Sequence, residues 1–204
     1  MSGSLFIVAA PSGAGKTSLV KGLLEREPGI RLSVSHTTRR PRPGEDDGTH
    51  YHFVTRDAFM GLVGQGAFLE YADVHGNCYG TSKAAVEPIL ARGDDVLLEI
   101  DFQGARLVRE QLPASVGIFI LPPSRAELER RLRARAQDSA DVIAKRLENS
   151  REEIAHVHEF DYVLVNEDFE TTLAGLVAIV RSQRLRRVVQ AERLAGLIDS
   201  LTAR

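Results

Sequence analysis

The sequence has 204 residues, which suits one medium-sized domain with appended units, and 43% hydrophobic residues are enough for a sizeable core. Lys and Arg number 26 against 28 Asp and Glu, so charge gives no support for broad nucleic-acid or acidic-membrane binding, and any basic site must be local. A single cysteine, Cys78, excludes an internal disulfide and any cysteine cluster for zinc or iron–sulfur, and no two histidines stand at the i, i+4 spacing of a helical metal site. No apolar run approaches membrane-spanning length and the start Met1-Ser2-Gly3-Ser4-Leu5 lacks the basic region of a secretion signal, so a cytoplasmic protein is expected.

Residues 5–9, Leu-Phe-Ile-Val-Ala, read as a buried strand, and Ala10-Pro11-Ser12-Gly13-Ala14-Gly15-Lys16-Thr17 follows, with Ser18 opening a helical pattern. A Gly-rich loop between strand and helix, closed by Lys-Thr, lets backbone N–H groups turn onto phosphate oxygens. Lys16 reaches the outer phosphates, Thr17 offers its hydroxyl to Mg²⁺, and the helix N-terminus adds partial positive charge. Ala10 stands where the strict motif has Gly, and a methyl is tolerated there if the backbone keeps a negative φ. Lys16 to Glu27 is expected to be helical, ending at Pro28-Gly29.

Arg31 to His36 reads as one short strand, after which Thr37 to Gly44 is a Pro-stiffened loop bearing Arg39, Arg40 and Arg42. By charge alone it serves equally as a solvated basic turn or as an anion clamp, since guanidinium matches phosphate oxygens bidentately. Tyr51-His52-Phe53 is a strand fragment, Thr55 an N-cap, and Phe68 to Val74 with Cys78 to Thr81 an antiparallel hairpin turning at His75-Gly76-Asn77. Residues 35–81 therefore form an inserted β-rich unit with polar side chains to aim into a cleft, as a substrate-binding subdomain would.

Ser82 is expected to cap a helix kinked at Pro88 and ended by Gly93. Val96 to Asp101 is a strand with acidic residues at its C-terminal end, which faces the ligand crevice in open α/β sheets. Asp101 is either part of a Mg²⁺ shell or the cap of the next helix. Val116 to Leu121 is a further buried strand. Ser124 starts a helix ending in Arg130-Arg131-Leu132-Arg133-Ala134-Arg135, and Val142 to His158 forms another bearing Arg146. Joined by a polar turn, the two read as a mobile lid or, on charge alone more readily, as an exposed hairpin. Asp161 to Asn166 is the last strand, and from Asp168 a long amphipathic helical pattern runs to the end, packing on its own domain or on a second copy.

In this order the segments resemble the guanylate kinase family, nucleoside-monophosphate kinases that move a phosphoryl group from ATP to GMP. The resemblance spans nearly the whole chain. Its specific parts are the phosphate loop, Ser35 to Glu45, Gly48 to Phe53, Phe68-Leu69-Glu70, Tyr79-Gly80-Thr81, Glu99 to Gly104, and Arg135 through Arg146-Leu147. It implies a three-layer α/β P-loop sandwich with a parallel core sheet (1–34, 82–134 and 159–204), a GMP-binding insert (35–81) and a helical lid (135–158). It also implies that Ser12, Gly13, Ala14, Gly15, Lys16, Thr17 and Ser18 hold the ATP phosphates with Mg²⁺, the metal lying at Thr17 and Asp101, and that Asn166 lies near the adenine. Arg39, Arg42, Tyr51 and Tyr79 would hold the GMP phosphate, and Ser35, Glu70, Thr81 and Glu99 would face the guanine. Lys16, Arg39, Arg135, Arg146 and Asp101 would serve the transfer itself.

Guanine chemistry agrees with this assignment: one carboxylate, Glu70, can accept from N1–H and the 2-amino group together, and a hydroxyl such as that of Thr81 can donate to O6. Ala136 departs from a frequent Gly and Cys78 from a frequent aromatic residue of the family. A non-catalytic module that binds phosphorylated peptides would not need the intact loop, and a kinase for a ribose phosphate would not need Glu70 with Thr81.

Overall fold

The computed structural model describes residues 3–74, 76–134 and 139–203. The first apolar run forms β1 (Leu5–Ala9), and the glycine loop after it feeds α1 (Lys16–Arg26). The strand expected over residues 31–36 is in fact two, in different sheets: β2 (Ile30–Leu32) and β3 (His36–Thr37). Between them the chain changes partners, since the Ser33 N–H still donates to the Leu97 carbonyl at 3.0 Å while the Ser35 carbonyl accepts from the His52 N–H at 2.9 Å.

The inserted region builds β4 (His52–Phe53), α2 (Arg56–Gly64), β5 (Phe68–Val74) and β6 (Asn77–Ser82). Thr55 caps α2 as expected, its hydroxyl accepting from the Ala58 N–H at 3.2 Å. The strands form a second sheet of order β4-β3-β6-β5, with β5 and β6 the antiparallel hairpin. His75, placed at its turn, lies outside the described residues. Phe59 of α2 stacks on Phe68 at 4.7 Å and, with Cys78, forms this sheet's own small core.

Beyond the insert come α3 (Lys83–Ala91), β7 (Asp95–Glu99), α4 (Phe102–Gln111), β8 (Val116–Leu121), α5 (Arg125–Ala134), α6 (Ala140–Ala155), β9 (Tyr162–Val165) and α7 (Phe169–Arg184). Ser82 occupies the N-cap position of α3 without a side-chain cap bond, and Pro88 lies inside the helix. The core sheet runs β2-β7-β1-β8-β9, parallel throughout. Strict alternation along β1 sorts the core into two layers. Phe6 and Val8 pack with Leu19 and Leu23 of α1 and Leu173 and Leu176 of α7, whereas Leu5 and Ile7 pack with Val86 of α3 and Val108 of α4. The tail, expected to prolong the last helix, breaks into α8 (Arg187–Arg193) and α9 (Ala195–Thr202). The break follows Arg184, whose guanidinium is anchored in the core domain. No helix among the described residues is long and apolar enough to cross a membrane.

That anchor sits at the N-terminal edge of the core sheet. Glu27 and Asp95 are buried, with 4% and 5% exposure. Arg184 donates to both at 2.7 Å, Arg181 donates to Glu27 at 2.7 Å, and the Ser4 N–H donates to Asp95 at 2.7 Å. Removing one partner of a buried ion pair leaves an uncompensated charge. Arg184→Ala is therefore expected to lower the unfolding free energy by about 3 kcal/mol or more in urea titrations, whereas Arg130→Ala, which removes a solvent-exposed guanidinium, leaves the urea midpoint close to wild type.

Candidate active site

Two groups of side chains meet at the C-terminal edge of the core sheet, where parallel α/β sheets bind ligands. On one side β1 delivers the phosphate loop. Gly15, the N-cap of α1, has φ +93°, and a Cβ there would come within 2.3 Å of the Asn166 amide nitrogen, so the position needs glycine twice over. Ala10, the departure from the strict motif, packs its methyl against the core. Ser12 and Ser18 are exposed at the start and end of the loop's turn into α1.

From that turn Lys16 Nζ donates to the Ile100 carbonyl at 3.2 Å and the Thr17 hydroxyl to Glu99 Oε1 at 2.6 Å. Asn166, at the end of β9, donates its amide to the Ala14 carbonyl at 2.7 Å. Arg131 of α5 seals this junction, donating to the Asn166 carbonyl at 3.0 Å and the Ala14 carbonyl at 3.4 Å while Glu127 holds its Nε at 2.7 Å.

On the other side the second sheet presents Glu70, 5% exposed, whose Oε1 accepts from the Thr81 hydroxyl at 2.6 Å. The Ser35 hydroxyl lies 3.5 Å from that of Thr81. Arg39 is stretched beneath Tyr51, its guanidinium 5.4 Å from the ring centre, and Tyr51 meets Tyr79 edge-on at 5.9 Å. Glu45 accepts from Arg39 at 2.9 Å and from the Arg42 backbone N–H at 2.8 Å, folding the arginine loop back on itself; the Arg42 side chain is exposed. The two sides share a cleft of about 190 Å³ lined by Lys16, Ser35, Glu70, Glu99, Asp101 and Glu153 among others.

Asp101 caps α4, accepting from the Gly104 N–H at 2.8 Å. A Cβ on Gly104 would lie 3.0 Å from Glu70 Oε2 and 3.3 Å from Asp101 Oδ1, so both carboxylates flank that glycine, while Glu99 is turned to Thr17. Arg146 lies on α6, and Arg135 is outside the described residues. Three contributors escaped the sequence reading: Arg131, Glu45 and Glu153. Arg131 had a signal in Glu127 four residues before it.

Residues 2–183 match the guanylate kinase family. The chain belongs to that family. A guanylate kinase of Vibrio parahaemolyticus is 56% identical over 203 residues, covering 98% of each chain. One from Xanthomonas oryzae is 56% identical over 201 residues, covering 98% of this chain and 99% of the relative. The crystal structure of guanylate kinase from Anaplasma phagocytophilum superposes with a TM-score of 0.80 at 35% identity, covering 98% of this chain and 95% of the other.

In this guanylate kinase family member the cleft's acids are held in tension. Burial pushes Glu70 up to about 7, the Thr81 hydroxyl pulling back and Asp101 adding to the rise. Arg39 instead holds Glu45 below the usual carboxylate range. A carboxyl raised from 4.5 to about 7 binds its proton more tightly in the folded chain, so it removes stability as pH rises between those values. Relative to wild type, Glu70→Gln is expected to gain about 3 kcal/mol of unfolding free energy between pH 4.5 and about 7, read from urea melts across that range.

Proposed function

We propose that the chain works in the cytoplasm as a guanylate kinase, passing the γ-phosphoryl group of ATP, with Mg²⁺, reversibly to the phosphate of GMP to give ADP and GDP. The observation that carries this reading is the buried Glu70, with Thr81 and Ser35 beside it, opening into the same cleft as Lys16 of the phosphate loop. Residues 35–81 serve as the GMP-binding unit and residues 135–158 as the lid, with Arg135 and Arg146 reaching the transferring group.

Guanine suits the acceptor pocket because its N1–H and 2-amino group offer two donors to one carboxylate. Without guanine the Thr81 hydroxyl gives its hydrogen to Glu70, which leaves Ser35 as the donor across the 3.5 Å contact between the two hydroxyls, and one hydroxyl of this pair turns its hydrogen to O6 when the base enters. Asp101, across Gly104 from Glu70, belongs to the base end of the cleft, and Glu99, bonded to Thr17, to the phosphate end. Arg39, Arg42, Tyr51 and Tyr79 receive the GMP phosphate, with Glu45 fixing the arginine loop.

Among the described residues no three His, Cys, Asp or Glu side chains gather as a metal cage. Mg²⁺ does not require one, since it commonly takes one or two protein oxygens with phosphates and water, and Thr17 backed by Glu99 fits that demand. Bound there it would neutralise charge between the outer phosphates. The acceptor is already an anionic oxygen, so the protein's own work is alignment and charge compensation by Lys16 and the arginines, in a cleft closed to water.

Purified protein with Mg²⁺ and ATP is expected to release ADP with GMP and far less with AMP, UMP, CMP or ribose 1,5-bisphosphate; release only with the ribose phosphate overturns the reading. Adenine leaves Glu70 unpaired, at a cost on the order of 1–3 kcal/mol, and Glu70→Gln is expected to lose most of the GMP-over-AMP preference in the same assay. Lys16→Ala is expected to cut kcat by roughly a thousandfold or more while circular dichroism and the melting temperature stay near wild type. The proposal extends to self-association through the tail, because Leu185, Val188, Leu197 and Leu201 are 71%, 64%, 54% and 75% exposed. Leu197→Lys with Leu201→Lys is expected to reduce the mass measured by light scattering from an oligomer to the 22.4 kDa monomer.

A further inference from the structure

The lid helix brings one side chain into the cleft that the transfer scheme leaves without a task. Glu153, near the C-terminal end of α6, lines the cleft with Lys16 and Asp101. It lies against the phosphate loop, where the Ser12 N–H and the Lys16 ammonium both favour its charged form, although burial pushes the carboxyl up to about 7. Its Oε2 is buried with no hydrogen-bond partner among the described residues. Loop N–H groups and a lysine are arranged to hold anionic oxygens, and Glu153 offers them a carboxylate where phosphate oxygens bind.

We propose that Glu153 is an internal stand-in for the nucleotide's phosphates, docking the lid helix on the phosphate loop before nucleotide arrives and giving way to the incoming phosphates. This rests on the reading of the loop as the ATP site. An acid that is poorly satisfied in its own contact is well suited to be displaced, because it gains hydration on leaving while the phosphates gain the loop. Arg146, Ser150 and Glu153 are spaced i, i+4, i+7 and share one face of α6, so the face that loses an anion to the cleft also carries a cation toward which the phosphates are drawn. The end of the helix stays tied meanwhile, since His156 stacks on Phe102 of α4 at 4.0 Å and 8°.

The test is calorimetric binding of ATP and of pyrophosphate, each with Mg²⁺, to the full chain as wild type, Glu153→Gln and Glu153→Ala. Removing the competing charge is expected to tighten both ligands roughly three- to tenfold in both variants. Pyrophosphate has no base, so a matching gain there locates the effect at the loop; a purely structural role would leave binding unchanged or weaken it. Unchanged or weaker binding by Glu153→Gln overturns the proposal. Tightening in Glu153→Ala alone makes the side chain a steric obstacle and overturns it too. Wild-type protein that binds neither ligand refutes the reading of the loop itself, and the inference falls with it.

Discussion

The site depends on a tie between two neighbouring strands of the core sheet. Lys16 and Thr17, which open α1 after the loop that follows β1, are bonded to Ile100 and Glu99 at the end of β7. A parallel sheet places every strand's C-terminus on one edge, so a loop after β1 lies beside the residues that follow β7 without any further device. Asn166 and Arg131 make the matching tie on the other flank, from β9 and α5 to Ala14. The phosphate loop is thus held from both sides, through the Ala14 carbonyl on one flank and the Lys16 and Thr17 side chains on the other. Such holding is the preorganisation that charge-compensating catalysis requires.

The two edges of that sheet treat buried acids in opposite ways. At the N-terminal edge Glu27 and Asp95 are matched by Arg181, Arg184 and a backbone N–H, and the result is structural cement. At the C-terminal edge Glu70 is buried and Glu153 half-buried, neither with an ion-pair partner of comparable quality, and both are raised to about 7. Chemistry accounts for the contrast. In the roles proposed for them, accepting from a base and yielding to a phosphate, neither carboxylate can already be satisfied by an arginine, and the stability each costs is the condition of that use.

What was legible in the sequence was local. The phosphate loop, the Thr55 cap, the β5–β6 hairpin and the alternating strands announce themselves within a few residues, because glycine freedom, capping hydroxyls and period-two burial are properties of short stretches. The failures were relational. Residues 31–36 alternate as one strand would, but nothing local says that the partner changes from Leu97 to His52 midway. The tail's helical period persists through residues 185 and 186, where the pull of Arg184 on Glu27 and Asp95, distant in sequence, coincides with the break. The bond from the Thr81 hydroxyl to Glu70 on the neighbouring strand is likewise visible only in the fold. Glu99 and Asp101 stand two residues apart, and only the fold shows that Glu99 accepts from Thr17 while Asp101 caps α4 beside Gly104.

Cys78 has a use beyond packing. It is the chain's only thiol, it is buried beside Phe59 and Phe68, and its backbone is stitched to β3 through Thr37 and Thr38. Because α2 side chains pack over the thiol, a thiol-modifying reagent can reach it only when α2 lifts from the second sheet or that sheet opens. The protein therefore carries a native chemical clock for its second sheet: the rate of modification reports how often that sheet and α2 come apart, without a label having to be engineered.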